Sequence, residues 1–201
     1  LHGEKFDLTK LPIDAVSISG HKIYGPKGVG ALILNHEPSE FISPISHGGL
    51  QEQEIRSGTV PVFLTVGLST AINYINDEYE KNRNYLIDLR QKFIEKITNL
   101  SSNIKINYAS KNGHPGTVNL HFKNIEADII ATRLANEVAV STAAACNGVG
   151  FEYSYVLKNM HLDDDISKSS IRLCFSKYNT IGEVDRASKI LTDIYSNILE
   201  D

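Results

Sequence analysis

The segment from Ala15 to Leu34 constrains the fold most, because two short apolar runs flank a connection rich in glycine. Ala15–Ser19 and Gly28–Leu34 carry valine and isoleucine, which are stiff at χ1 and favour extended backbone. Gly20, Gly25 and Pro26 mark the connection as a turn. A short link between two strands favours an antiparallel pair. We therefore predict a β-hairpin with a polar, glycine-rich end.

Two helical patterns follow, after a loop over residues 41–61 that is broken by glycine and proline. Apolar residues recur every three or four positions over 64–75 and again over 86–100. The charged stretch Asp77–Arg83 separates the two patterns. We place a domain boundary there, which divides the chain into residues 1–80 and 81–201.

Strands and helices alternate in the second half. Thr117–Phe122 alternates apolar and polar residues, as a half-buried strand does. Further strands are predicted at 138–141 and 170–176, and helices at 127–136 and 182–199. Asp163–Asp165 is predicted as a solvated turn. Interleaved strands and helices indicate an α/β or α+β fold.

Composition excludes several classes of function. The net charge of −4 argues against a nucleic-acid footprint, and no run approaches the roughly 18–20 apolar residues of a membrane span. Two cysteines are too few for a disulfide framework, so we expect a cytoplasmic, reducing compartment. Scattered histidines without paired cysteines give a metal site no support. The one methionine is Met160 and the sequence opens on Leu1, so we expect part of a longer protein.

The hairpin end carries the first candidate site, Ser19 to Gly28. Lys22 follows a strand directly, with His21 beside it and glycines on both sides. A rigidly held, partly desolvated amine can form a Schiff base with a carbonyl, including the aldehyde of pyridoxal phosphate. The alternative is a surface lysine in a glycine turn. The order of residues that binds nucleotide phosphates is absent.

A second cluster joins His47-Gly48-Gly49 to the segment Arg56–Thr59. Glycines expose backbone N–H groups, and Arg, Ser and Thr are donors, so together they suit an anion such as phosphate. A plain polar loop is the alternative.

Two further candidates lie in the second half. Cys146 sits among small residues between Ser141 and Gly150, so we expect an exposed and reactive thiol in a mobile loop. Arg172 lies within a strand-like run and could grip a carboxylate with two hydrogen bonds. The alternative for Arg172 is a salt bridge to Asp163–Asp165. Cys174, between Leu173 and Phe175, is expected to be inert packing or partly buried.

These four clusters, in this order, resemble the cysteine desulfurases of the NifS/IscS type, within the class V aminotransferase group of pyridoxal-phosphate enzymes. The similar segments span nearly the whole chain: Asp14–Gly28, His47–Pro61, the Cys146 loop to Leu157, and Ser169–Arg172. The resemblance implies an aspartate aminotransferase-like fold. Residues 1–80 would then end the large cofactor domain, and residues 81–201 would form a small α+β domain.

The resemblance also implies residue roles. Lys22 would bind the cofactor covalently, while His21 and Ser19 would contact its phosphate or help proton transfer. Thr59 would reach the phosphate of the partner subunit, which implies a homodimer with shared sites. Arg172 would hold the carboxylate of L-cysteine, and Cys146 would take its sulfur as a persulfide. The products would be L-alanine and sulfur for an acceptor such as an iron–sulfur scaffold protein.

Departures from the family pattern leave other functions open. Ser176 replaces a glycine, and Ala143–Ala145 replaces a stretch rich in serine and glycine. The family's aspartate and glutamine, which would fall just before Leu1, and its ring-stacking histidine are not among these residues. The alternatives are a selenocysteine lyase, another class V aminotransferase, or a non-catalytic half-protein that acts as an interaction module.

Overall fold

The structure is a computed structural model that describes residues 5, 7–37, 42–108, 113–142 and 154–200. The chain forms two compact units, Leu1–Tyr79 and Glu80–Asp201. Within the described ranges, no helix combines the length and the apolar character that crossing a membrane requires.

The first unit contains the hairpin that the sequence predicts. Strands β1 (Ala15–Ser19) and β2 (Gly30–Leu34) pair antiparallel, with Ser19 opposite Gly30. A short 3-10 helix (Gly20–Ile23) opens the connection between them, and helix α1 (Val62–Asp77) follows. Two further 3-10 helices occupy Leu8–Lys10 and Gln51–Glu54. Ile23 packs with Leu68 and Ile75 of α1 and so ties the hairpin connection to the helix.

The second unit holds an antiparallel sheet of four strands in the order β3-β4-β6-β5. Its elements are α2 (Tyr79–Leu100), β3 (Ile104–Tyr108), β4 (Thr117–Phe122), α3 (Ala127–Leu134), β5 (Ser141–Thr142), α4 (Tyr155–Asn159), α5 (Asp164–Lys168), β6 (Ser170–Cys174) and α6 (Ile181–Glu200).

The apolar core of this unit lies on one face of the sheet. Successive side chains of a strand point to opposite faces, so Val118 and Leu120 of β4 and Leu173 of β6 are buried while their neighbours are not. Helices α2, α3 and α6 contribute further buried side chains to this core, and β3, β4 and β6 add Ile104, Phe122 and Ile171. The opposite side, called here the open face, carries the polar residues Asn107, Thr117, Asn119, Arg172 and Cys174.

Four strands and α-helices differ from the sequence predictions. Strand β3 and helix α4 were not predicted, and β5 covers Ser141–Thr142 instead of 138–141. Asp163–Asp165 are exposed as expected, but the prediction of a turn there is wrong, because Asp163 is the N-cap of α5 and Asp164 begins it. Acidic groups are stabilised at a helix N-terminus by the unpaired N–H groups there. The remaining strands and helices are confirmed to within a few residues at their ends.

A reciprocal capping box starts α6. The Glu183 N–H donates to Thr180 Oγ1 over 3.3 Å, and the Thr180 N–H donates to Glu183 Oε2 over 2.7 Å. The second bond is the main cause that lowers the pKa of Glu183, and the Asn179 amide adds to it. Two N–H groups that the helix leaves unpaired are thereby satisfied.

We expect Thr180→Ala to lower the free energy of unfolding at pH 7 by about 1 kcal/mol, since the cap is lost. The contribution of Glu183 should be present above the ordinary carboxyl pKa and be lost as the pH falls through its lowered folded-state pKa. Urea midpoints at neutral and acid pH measure both effects, and Glu183→Gln should remove part of the acid dependence. Equal midpoints for all three proteins at every pH would contradict the cap.

Candidate functional site

The turn that carries Lys22 is closed by backbone hydrogen bonds. The Gly20 N–H donates to the Val29 carbonyl, and the Gly25 N–H donates to the Gly20 carbonyl, each over 2.9 Å. Tyr24 ends the 3-10 helix in a left-handed conformation with φ of 63°. A Cβ atom on Gly20 would lie 2.7 Å from the Pro26 carbonyl oxygen, so only glycine fits there. The sequence thus encodes a rigid loop at the end of the hairpin.

This turn exposes the predicted catalytic side chains. Ile23 is only 4% exposed and anchors the turn in the core, whereas His21 and Lys22 are exposed to solvent. Ser19, the last residue of β1, is half-buried. The structure therefore brings Ser19, His21 and Lys22 to one end of the hairpin, with the lysine amine accessible.

The predicted anion-binding loop is held together largely by its own groups. Ser46 and Arg56 form a parallel bridge, and the hydroxyls of Ser46 and Ser57 lie 3.0 Å apart. The Arg56 guanidinium donates to the Ser57 carbonyl, and the Gly58 N–H donates to Gln51. Thr59 is exposed. Among the described hydrogen bonds, none joins Thr59 to the Lys22 turn.

The predicted nucleophile cannot be placed. Cys146 falls within residues 143–153, which lie outside the described residues. The description resumes at Ser154, whose hydroxyl accepts the Leu157 N–H and caps α4. The exposure of Cys146 and the mobility of its loop therefore stay predictions.

Arg172 lies in the middle of β6 on the open face and is exposed. Asn119 of β4 and Ser141 of β5 are its cross-strand neighbours. Of the ion pairs between described residues, none links Arg172 to Asp163–Asp165, so the salt-bridge alternative is not formed. The guanidinium is thus placed to meet an anion from outside the unit.

Cys174 shares the open face with Arg172. Its thiol is exposed, and its Sγ lies 3.5 Å from Thr117 Oγ1. The expectation of an inert, partly buried cysteine is therefore wrong. Leu173 and Phe175 flank Cys174 in sequence, but Leu173 points to the opposite side of the strand and is buried there.

Sequence reasoning missed a polar chain across the open face. Asn107 Nδ2 donates to Asn119 Oδ1 over 2.6 Å and to Ser170 Oγ over 2.7 Å. The Ser170 hydroxyl in turn donates to the Ile166 carbonyl of α5. The alternation of polar and apolar residues in β4 places Asn119 on the open face. No sequence signal pairs Asn107 with Ser170, which is 63 residues away.

His121 lies farther along the same side of β4 and is half-buried. Burial lowers the pKa of His121, so its imidazole is neutral near pH 7. Arg172, directly across from Asn119 in the β4–β6 pair, supplies a positive charge beside it. No group of three or more His, Cys, Asp or Glu side chains in the described ranges is arranged to hold a metal ion.

Comparison with known proteins identifies relatives over most of the chain. The Aminotransferase class-V family matches residues 1–187. "Cysteine desulfurase IscS" of Rickettsia bellii is 39% identical over 185 residues, which is 92% of this chain and 45% of that protein. The human protein named "Cysteine desulfurase" is 38% identical over 179 residues, or 89% of this chain and 39% of that protein.

Solved structures show the same fold. A NifS-like protein superposes with a TM-score of 0.80 at 31% identity, covering 98% of this chain and 49% of that one. A NifS-like protein from Rickettsia africae gives a TM-score of 0.82 at 27% identity, over 97% and 51%. The chain spans about half the length of these relatives. The expected fold class is confirmed, since both neighbours are NifS-like proteins.

Proposed function

The chain belongs to the aminotransferase class-V family, and we propose that the protein that carries it is a cysteine desulfurase. The observation that carries the proposal is the 39% identity to a protein named as a cysteine desulfurase, over 92% of this chain. In this reaction L-cysteine becomes L-alanine, and its sulfur passes to a thiol of the protein. The units Leu1–Tyr79 and Glu80–Asp201 would be the end of the large cofactor domain and the small domain.

The Lys22 turn fits pyridoxal phosphate as a cofactor. It offers the exposed primary amine that an aldehyde requires, on a turn that backbone hydrogen bonds close. His21 and Ser19 add N–H and hydroxyl donors suited to a phosphate. Pyridoxal phosphate, when bound, supplies an electron sink beside the substrate Cα. Lys22 would remove the Cα proton and deliver a proton to the product.

Arg172 and Cys146 would act on the two ends of the substrate. Arg172 would hold the carboxylate, since its guanidinium is exposed and has no ion pair to the acidic turn among the described contacts. The Cys146 thiolate would attack the substrate sulfur as the carbon–sulfur bond breaks. The result is L-alanine and a persulfide on Cys146, which is a reversible state of cysteine. No external oxidant or reductant is needed.

The proposal includes partners and a compartment. Thr59 would reach the cofactor phosphate of a second subunit, so the enzyme would work as a homodimer with shared sites. The persulfide would pass to an acceptor such as an iron–sulfur scaffold protein. We place the reaction in the cytoplasm, while one relative, from Dictyostelium discoideum, is named "Probable cysteine desulfurase, mitochondrial".

The test is conversion of L-cysteine by the protein in the presence of pyridoxal phosphate and a thiol reductant. We expect equal amounts of alanine and sulfide. Cys146→Ser should lower sulfide release to the level of a blank without enzyme, because serine cannot accept sulfur in this way. Cys174→Ser is the matched control, an exposed cysteine that should keep the wild-type rate.

Other outcomes would replace the proposal. Turnover of L-selenocysteine but not L-cysteine would identify a selenocysteine lyase. Amino transfer to a keto acid that is insensitive to Cys146→Ser would identify another class V aminotransferase. A folded protein without turnover of any of these substrates would favour a non-catalytic interaction module.

A further inference from the structure

The orientation of the Asn119 side chain follows from the hydrogen bonds next to it. A serine hydroxyl carries one proton, and that of Ser170 is donated to the Ile166 carbonyl. The Ser170 oxygen must therefore accept from Asn107, which fixes the nearby atom as the amide nitrogen. The same nitrogen lies 2.6 Å from Asn119, so the atom that it meets there must be the acceptor Oδ1.

This assignment leaves the Asn119 amide nitrogen with both protons for other partners. Of the hydrogen bonds between described residues, none uses this nitrogen. Ser170 is only 2% exposed, so its hydrogen bond with Asn107 is kept out of water. Asn119, at the other end of this series of hydrogen bonds, is half-buried on the open face. The result is a donor group held in one orientation at the surface.

Arg172 lies directly across from Asn119 in the paired strands. Side chains at such opposed positions of an antiparallel pair have Cβ atoms about 4.5–5.5 Å apart, close enough to bind one small ligand. The guanidinium and the amide nitrogen are both donors, and none of the ion pairs between described residues places a carboxylate on Arg172. This donor pair suits an anion with two oxygens.

We propose that Asn119 is a second donor to the carboxylate of the amino-acid substrate, beside Arg172. Asn107 and Ser170 are positioning residues that hold the amide with its nitrogen toward the ligand. The inference rests on the proposed function, in which Arg172 binds this carboxylate. The register of β3 shifts between Ile106 and Tyr108, at Asn107, and such shifts re-aim side chains.

The test compares ligands with and without a carboxylate, bound to the holoprotein and measured by isothermal titration calorimetry. L-alanine carries the carboxylate, and ethylamine is the same skeleton without it. We expect Asn119→Leu to raise the Kd of L-alanine, and the KM for L-cysteine, by about 10- to 100-fold, as for a lost hydrogen bond to a charged group. The Kd of ethylamine should change less than about twofold on the same scale.

A second variant guards against misfolding. Asn119→Asp keeps the side-chain shape but turns the donor into an acceptor beside Arg172. It should therefore weaken the binding of L-alanine more than Asn119→Leu does, and it should not weaken the binding of ethylamine. Asn107→Leu should weaken the binding of L-alanine less than the Asn119 variants do, because it only frees the Asn119 amide to rotate. Asn103→Leu, at an exposed turn before β3, is the matched control, and its Kd values for both ligands should equal those of wild type.

The outcomes separate this inference from the proposed function. If wild type binds L-alanine but does not convert L-cysteine, the desulfurase proposal fails. The role of Asn119 in carboxylate binding is then decided by the ratio of the Kd of L-alanine to that of ethylamine. An unchanged ratio in both Asn119 variants would overturn the inference even in an active enzyme. Equal weakening of both ligands would also overturn it, since that result indicates a general structural role.

Discussion

Lys22→Ala should lower the rate of alanine formation from L-cysteine by at least about 10³-fold, within the range known for loss of a proton-transferring group. The alanine variant loses both the amine that would bind the cofactor and the base that would move the Cα proton. In wild type, borohydride reduction with pyridoxal phosphate followed by mass spectrometry should locate a covalent adduct on Lys22. The same treatment of the variant should give no adduct at this peptide.

Lys27→Ala is the matched control for this experiment. Lys27 lies in the same connection between β1 and β2 and is exposed, but it falls outside the 3-10 helix that presents Lys22. Its variant should keep the wild-type rate and the adduct on Lys22. An adduct on Lys27, or a Lys22→Ala protein that still forms alanine at the wild-type rate, would remove Lys22 from the mechanism.

Phe93→Ala should lower the free energy of unfolding by about 3–5 kcal/mol, the range for removing a buried aromatic side chain. Phe93 is fully buried on α2 and packs edge-on against Phe175, with ring centroids 5.3 Å apart. The lost burial and the cavity that remains both act against the folded state. Since small domains are stable by only about 5–15 kcal/mol, this loss is a large part of the total free energy of unfolding.

Urea titration followed by far-UV circular dichroism measures this change, because the chain has no tryptophan for fluorescence. Leu100→Ala is the matched control, at the end of the same helix with a side chain 57% exposed. Its unfolding free energy should stay within about 0.5 kcal/mol of wild type. A Phe93→Ala urea midpoint equal to that of Leu100→Ala would contradict the buried packing of Phe93 against Phe175.

Strong local patterns made much of the fold predictable. Valine and isoleucine beside a glycine-rich connection predicted the hairpin, and regular apolar spacing predicted α2 and α6. These signals depend only on residues close in sequence. Strand β3 has five residues, as β1, β2 and β6 do, but it was missed, and a register shift interrupts its pairing with β4. The N-terminal acidic residues of α5 were mistaken for a turn because acidic residues are common in both settings.

The positions of the candidate side chains were predictable from the sequence to different degrees. The hairpin end with Ser19, His21 and Lys22 is local, so the sequence determined that these side chains share one turn. Cys174 was misplaced because its neighbours in sequence were taken as its neighbours in space. In a strand, adjacent residues face opposite sides, so the buried Leu173 says nothing of the surroundings of Cys174.

The sequence by itself determined the hairpin, the amphipathic helices and the family, since each depends on local spacing or on ordered motifs along the chain. Only the tertiary structure decided that Arg172 faces outward, that Asn119 lies across from it, and that Asn107 and Ser170 set the amide direction. These contacts join strands that are distant in sequence, and each depends on the pairing register. A shift of one residue would turn every one of these side chains to the other face of the sheet.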